Sequence, residues 1–285
     1  MAPPLACTVR GCGEPLERHG RTFGCGRGHV FDIAKRGYVN LLQPQDRKSL
    51  TSGDSKSAVE ARARLLAAGA GRGVFDAFVD RADGILAAMA GGGRPASVVI
   101  DLGSGAGDVL GEVAGRRAIA GVGIDLSVAA AEYASRRFPS ITWVVANADR
   151  RLPLRSGTVD LVLSAHARRN PAECARVLSP GGTLLVAVPA EDDLIELREA
   201  LHGTAVAYAR GEALVAEHQA AFTLVDRSTA RERRPLDRDA LLDVLRATYR
   251  GARRSAAAQA DALTSIDVTF ASELFLFRRR ARPGA

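Results

Sequence analysis

An acid and three alternating glycines, Asp101-Leu-Gly103-Ser-Gly105-Ala-Gly107, begin within the end of the apolar run Ser97–Leu102 and carry on past it. A buried strand that ends on glycines can turn tightly into a helix and leave bare backbone for a ligand to approach. The helix N-terminus behind such a turn favours a carboxylate or phosphate. A second apolar run, Ala118–Asp125, ends on an acid eighteen residues beyond Gly107. A carboxylate placed there can accept from both hydroxyls of a ribose. The two strands therefore predict a site for an adenosine-containing ligand.

Strands and helices alternate through the rest of the chain. Residues 57–90 carry helical periodicity, broken at Gly69–Gly73, so two helices are expected. Ser127–Arg137 reads as a helix with Ser127 as its N-cap. Ile141–Ala146, Val159–Ser164 and Thr183–Val188 read as a third, fourth and fifth strand, with a helix at Pro171–Leu178. Helices are expected at Leu194–Ala209 and Leu241–Tyr249, and Ile266–Phe277 alternates like a late strand suited to antiparallel pairing. This pattern predicts an α/β fold with a parallel, doubly wound sheet. A glycine-rich turn alone could also belong to a nucleotide-sugar or NAD enzyme. The spacing here, however, does not match the dinucleotide pattern G-x-G-x-x-G.

Cys7-x4-Cys12 and Cys25-x3-His29 form two ligand pairs twelve residues apart. Three thiolates and an imidazole suit a closed tetrahedral zinc site, which could fold a segment too small for a core of its own. His19 lies between the pairs as a competing ligand, and the remote Cys174 reads as a small core residue. The expected organisation is a zinc module over residues 1–42, a polar linker over 43–56 and a catalytic domain over 57–285.

The net charge is +7, with eight Lys or Arg against four Asp or Glu in the first 50 residues. That excess suits an anionic partner such as nucleic acid, although a compositional bias towards Arg, Ala and Gly would also produce it. No apolar run approaches the roughly 20 residues of a membrane span, and no secretory leader is visible. The expectation is a soluble, cytoplasmic chain.

The order of motifs resembles the Class I (Rossmann-like) methyltransferases. It comprises the glycine turn, Asp125, Asn147-Ala148-Asp149 ahead of Leu152-Pro153, and the turn Leu178-Ser-Pro180-Gly181-Gly182. The resemblance implies that Asp101, Gly103, Gly105 and Gly107 surround the methionine part of S-adenosylmethionine. It implies that Asp125 holds the ribose and that Asn147 and Ala148 flank the adenine.

A longer stretch, Gly28-His29-Val-Phe31-Asp32-Ile-Ala34-Lys35-Arg36-Gly37-Tyr38-Val-Asn40-Leu41-Leu42, resembles the signature of the large-subunit rRNA guanine-N1 methyltransferases. That family includes macrolide-resistance enzymes. Gly53-Asp54-Ser55, Ala61-Arg62 and Arg169-Asn170-Pro171 extend the likeness, which fades after about residue 200. The resemblance implies zinc on Cys7, Cys12, Cys25 and His29, recognition of a 23S rRNA hairpin, and methylation of a guanine N1 near the peptide exit tunnel.

Three places depart from the family. An aromatic-Ala-Pro loop after the fourth strand is replaced by His166-Ala167-Arg168-Arg169, Gly-His-Tyr by Gly69-Ala70-Gly71, and a histidine after the fifth strand by Asp193. His166 is the candidate to stack on the acceptor base or take its proton. Arg168 and Arg169 are candidates for phosphate contacts, with Tyr38 in the same cleft. Lys35, Arg36, Arg47 and Lys48 are expected to neutralise further phosphates, and the linker to let the module close over RNA. A second copy of the chain is kept as a candidate partner. The alternatives in another class are a small-molecule methyltransferase of natural-product biosynthesis and a non-catalytic RNA-binding relative.

Overall fold

The computed structural model describes residues 3–46, 53–90, 96–203, 210–247 and 264–280. Three short strands, β1 (Glu17–His19), β2 (Thr22–Gly24) and β3 (Val30–Asp32), make an antiparallel ribbon, and β4 (Tyr38–Asn40) follows them. Next come α1 (Lys56–Ala67), α2 (Arg72–Met89), β5 (Ser97–Leu102), α3 (Asp108–Arg116), β6 (Ile119–Asp125), α4 (Val128–Arg137), β7 (Thr142–Val145) and β8 (Val159–Ala165). The chain continues through α5 (Pro171–Val177), β9 (Leu178–Pro189), α6 (Ile195–His202), α7 (Gly211–His218), β10 (Phe222–Asp237), α8 (Arg238–Ala247) and β11 (Ser265–Arg279).

Eight strands form one sheet in the order β10-β11-β9-β8-β5-β6-β7-β4. The strands from β4 to β9 run parallel, while β11 is antiparallel to both β9 and β10. The five strands expected in the parallel core thus take the order 3-2-1-4-5, and the chain switches direction between β5 and β8. Ligands of doubly wound sheets bind at that switch, outside the carboxyl ends of the strands.

Both faces of the sheet are covered, which is why its strands read as continuous apolar runs. Along β5, Ile100 and Leu102 join one buried cluster while Val99 joins the other, as the alternation of a strand requires. The second cluster holds Phe78, Val79, Ala82 and Leu86 of α2, a stripe at helical spacing. Ser127 caps α4, its hydroxyl accepting from the Ala130 amide at 3.1 Å.

The ribbon does not hang free. β4 pairs with β7, so the strand counted in sequence with the zinc module is also the edge of the large sheet. Leu5, Leu16, Phe23 and Leu41 share one core with Leu152 and Leu154, and Leu5 bridges to Leu154. Each such side chain contributes roughly 1.5–3 kcal/mol on burial. A module swinging about residues 43–56 is therefore replaced by one docked on the sheet edge. Of that expected linker, Pro44–Asp46 form a 3-10 turn and Gly53–Ser55 pack on the catalytic domain, while 47–52 lie outside the described residues. Arg47 and Lys48 fall there too, as do the last residues of the expected helices Leu194–Ala209 and Leu241–Tyr249.

Candidate cofactor, acceptor and zinc sites

The glycine turn hangs on the end of the neighbouring strand. The Gly103 and Ser104 amides donate to the Ile124 carbonyl at 2.8 and 3.2 Å. Gly103 has a φ of 68°, and a Cβ there would also collide with the Ala167 methyl. The cofactor turn and the loop after β8 are thereby packed against each other, and only glycine allows it. Over Gly105 no atom lies within 4 Å of a would-be Cβ, so the turn opens on free space.

Asp125 holds this cradle from the side. Its two carboxylate oxygens accept from the Gly105 amide at 2.9 Å and the Ser127 amide at 2.7 Å. The signature triplet at 53–55 forms the adjoining wall. The Ser127 hydroxyl donates to the Asp54 carbonyl at 2.6 Å, Gly53 lies directly over Ser127, and Ser55 caps α1. Asn147, expected to flank the adenine, is buried. Its amide nitrogen donates to the Asp46 carbonyl at 3.0 Å, and Ala148 follows it at the rim.

Asp101 is 2% exposed, and among the described residues nothing hydrogen-bonds its carboxyl group. Burial, with Asp125 and Asp108 nearby, pushes it up to about 8. A buried carboxyl without a partner fits a cationic ligand group, and the methionine ammonium of S-adenosylmethionine is one. At pH 7 Asp101 without a cation beside it is largely protonated, and a bound cation restores the carboxylate. Cofactor binding is therefore expected to release close to one proton per site. Calorimetry in buffers of different ionisation enthalpy measures that release, which Asp101→Asn should abolish.

The loop after β8 carries the acceptor candidates. His166 sits in the left-handed region at a φ of 54°, and its Nε2 is 2.7 Å from Ser272 Oγ. His166 is exposed as a residue, yet desolvation by the surrounding protein and the cations Arg62 and Arg210 push it down to about 4. His166 is therefore a neutral imidazole and a poor proton acceptor near pH 7. The Arg168 side chain is 81% exposed, with its Nε 3.1 Å from Asp149 Oδ2 in the loop after β7.

Two other candidates are not free for the acceptor. Arg169 donates to His218 Nε2 at 3.1 Å and to the Ala167 carbonyl at 2.9 Å, which commits it to shaping the loop. Tyr38 lies on β4, four strands from β8, or about 19 Å at normal strand spacing. It packs against the cluster that contains Trp143 and does not meet His166. Asp193 accepts from the Ala271 amide at 2.9 Å, extending the ladder between β9 and β11, and burial pushes it up to about 6. At the α1–α2 turn, Arg234 donates to the carbonyls of Gly69 and Ala68 at 3.1 and 2.8 Å.

In the ribbon, one ligand atom from each of Cys7, Cys12, Cys25 and His29 lies within 4.8 Å of every other. Cys12 and Cys25 sulfurs are 3.9 Å apart, and His29 Nδ1 is 3.5 Å from Cys7 and 3.4 Å from Cys25. A tetrahedron with normal zinc bonds has S···S edges of about 3.8 Å and S···N edges of about 3.5 Å. The donors are already spaced for zinc, and His29 rather than His19 completes the set. Without a cation, burial pushes the Cys7 thiol up to about 12, so its ligating thiolate needs the metal. Cys174 is buried in α5, as expected of a core residue.

A cradle of this form at the switch point of a doubly wound sheet makes the chain an S-adenosylmethionine-dependent Class I methyltransferase carrying a zinc ribbon. Family comparison agrees, with "Methyltransferase domain" matching residues 99–182 and the zinc ribbon "RlmA, N-terminal" matching residues 6–50. The chain belongs to the 23S rRNA guanine-N1 methyltransferase family. It is 38% identical over 232 residues to the 23S rRNA (guanine(748)-N(1))-methyltransferase of Streptomyces fradiae, covering 81% of this chain and 80% of that one. A Micromonospora griseorubida protein provisionally assigned as a 23S rRNA guanine-N1 methyltransferase is 34% identical over 262 residues, covering 86% and 85%. A Bacillus subtilis (strain 168) protein with the same provisional assignment is 37% identical over 181 residues, covering 62% and 61%.

Proposed function

We propose that the enzyme methylates N1 of a guanine in 23S rRNA, acting in the cytoplasm on a hairpin held by the zinc ribbon and the carboxyl end of the sheet. The family supplies the substrate class. Within the structure, the supporting observation is the shared core of ribbon and sheet, which holds the ribbon's cations in fixed relation to the acceptor loop. Arg10, Arg18 and Lys35 are exposed on the ribbon, and Arg151 lies against Gly13 of the ribbon from the loop after β7. A guanine within a stem must leave its stack to reach the cleft beside Gly103. There the exposed Arg168 would take a flanking phosphate, and His166 would face the base.

When bound, S-adenosylmethionine supplies an activated methyl group. The chain's own contribution is to align the acceptor with it and exclude water. The resemblance to macrolide-resistance enzymes extends the proposal to protection of the ribosome from a macrolide. Methyl transfer to 23S rRNA, mapped by reverse-transcriptase arrest at the modified base, tests the reaction. A raised inhibitory concentration in a sensitive host tests the resistance.

RNA affinity is expected to fall steeply with salt, and Arg18→Gln and Lys35→Gln should each flatten the log–log slope by about 0.7–0.9. Charge variants are the cleaner probe, because deleting residues 1–42 would strip β4 from β7 and uncover Leu152 and Leu154. An unchanged slope in both variants would count against the ribbon's part in RNA binding.

A further inference from the structure

Ser272 lies fully buried on β11, and its hydroxyl is 2.7 Å from His166 Nε2. Among the described residues that imidazole is the hydroxyl's sole hydrogen-bond partner. A buried hydroxyl with its hydrogen unpaired costs about 1–3 kcal/mol. The hydroxyl therefore donates, and Nε2 accepts with its lone pair. A neutral imidazole whose Nε2 accepts carries its proton on Nδ1. The ring is neutral here, held down to about 4 by its surroundings and by Arg62 and Arg210. No described residue hydrogen-bonds Nδ1, and His166 as a residue is exposed. The next residue, Ala167, abuts Gly103, which packs this loop against the glycine turn.

We propose that Ser272 fixes His166 as the Nδ1–H tautomer and that this N–H donates to the 6-carbonyl oxygen of the acceptor base, so that the pair selects a 6-keto purine. The inference rests on the proposed guanine acceptor and deepens it. Adenine presents an amino donor where guanine presents O6. Two donors would then face each other in a site that water has left, and such mismatches discriminate strongly. His166 becomes a reader of the base in place of its proton acceptor, and Ser272 becomes a positioning residue.

Nitrogen-15 NMR of the full chain labelled at its five histidines reads the tautomer directly, with His166 assigned by the signals lost in His166→Ala. The expected result is a protonated Nδ1 and an unprotonated Nε2, with the preference lost in Ser272→Ala. Kinetics then use an rRNA hairpin with guanine, inosine or 2-aminopurine at the acceptor position. Inosine keeps O6 and should fall within about tenfold of guanine in kcat/KM. The 2-aminopurine hairpin lacks O6 and should fall by about a hundredfold or more. Ser272→Ala and His166→Ala should each shrink that ratio by about tenfold, and His166→Gln, which keeps an N–H donor, should restore part of it.

A proton found on Nε2 of the wild-type enzyme overturns the inference, and so does a ratio unchanged in His166→Ala. If Ser272→Ala does not fold, the wild-type spectrum and the His166 variants still decide. A wild-type enzyme that methylates none of the hairpins overturns the guanine acceptor and the base contact with it. The tautomer is still read independently in the same protein.

Discussion

Cys25→Ser is expected to remove the zinc and unfold the ribbon, and to lower the melting temperature of the whole chain. The three ribbon strands are only three residues long, and their own sheet cannot bury enough apolar surface to stand alone. Structural zinc contributes about 10–16 kcal/mol in small zinc domains, a figure as large as the total stability of a typical protein. Loss of the ribbon would then reach the sheet. Leu5, Leu16, Phe23 and Leu41 would leave the core they share with Leu152 and Leu154, and β7 would lose β4 from its edge. Metal analysis should fall from one zinc per chain to none, and hydrogen exchange should lose protection in residues 3–41 and along β7. His19→Ala is the control. That ring lies exposed on β1, outside the four-ligand cluster, so zinc content and melting temperature should hold. Retained zinc in Cys25→Ser, or loss of zinc in His19→Ala, would refute the assigned ligand set.

Buried strands were legible because a parallel sheet covered on both faces writes itself as runs of Val, Ile and Leu. β10 was not. It is an edge strand of 16 residues with mostly exposed side chains. Arg227, Arg231 and Arg233 on it pair with Glu273, Asp192 and Asp267, so its sequence shows charge where apolar alternation would mark a strand. Charge on an edge is how sheets avoid unwanted pairing, and it erases the signal that reveals them.

The site divides in the same way. Asp101, the glycines and Asp125 lie close together in sequence because one strand–turn–helix–strand unit, β5 to β6, builds them, and the zinc ligands announce themselves by spacing. Ser272 meets His166 across 106 residues and looks like any serine in an apolar strand. Tyr38 was expected in the cleft and Arg169 on a phosphate, while strand order and a buried histidine put them elsewhere. His29, expected over the competing His19, does lie in the four-ligand cluster.

Asp125→Ala is expected to weaken S-adenosylmethionine binding by roughly two to four orders of magnitude. Each hydrogen bond from a ribose hydroxyl to a carboxylate contributes about 1.5–3 kcal/mol, and two are at stake. The substitution also removes the acceptor of the Gly105 and Ser127 amides, so the turn loses the clamp that sets its shape. Asp125→Asn separates the two effects. An asparagine has one acceptor oxygen where the structure uses both, so its amide nitrogen must face either the Gly105 or the Ser127 N–H. The conservative change should therefore still weaken binding by about tenfold or more, although it adds no bulk and opens no cavity. Chain stability should change less than cofactor affinity in either variant, because the fold around Asp125 is also held by the Ser127 cap and the Gly103 and Ser104 bonds to Ile124. Calorimetric titration and thermal melts on the same samples supply both numbers. Cofactor affinity in Asp125→Ala equal to that of the wild type would mean that the ribose is held elsewhere.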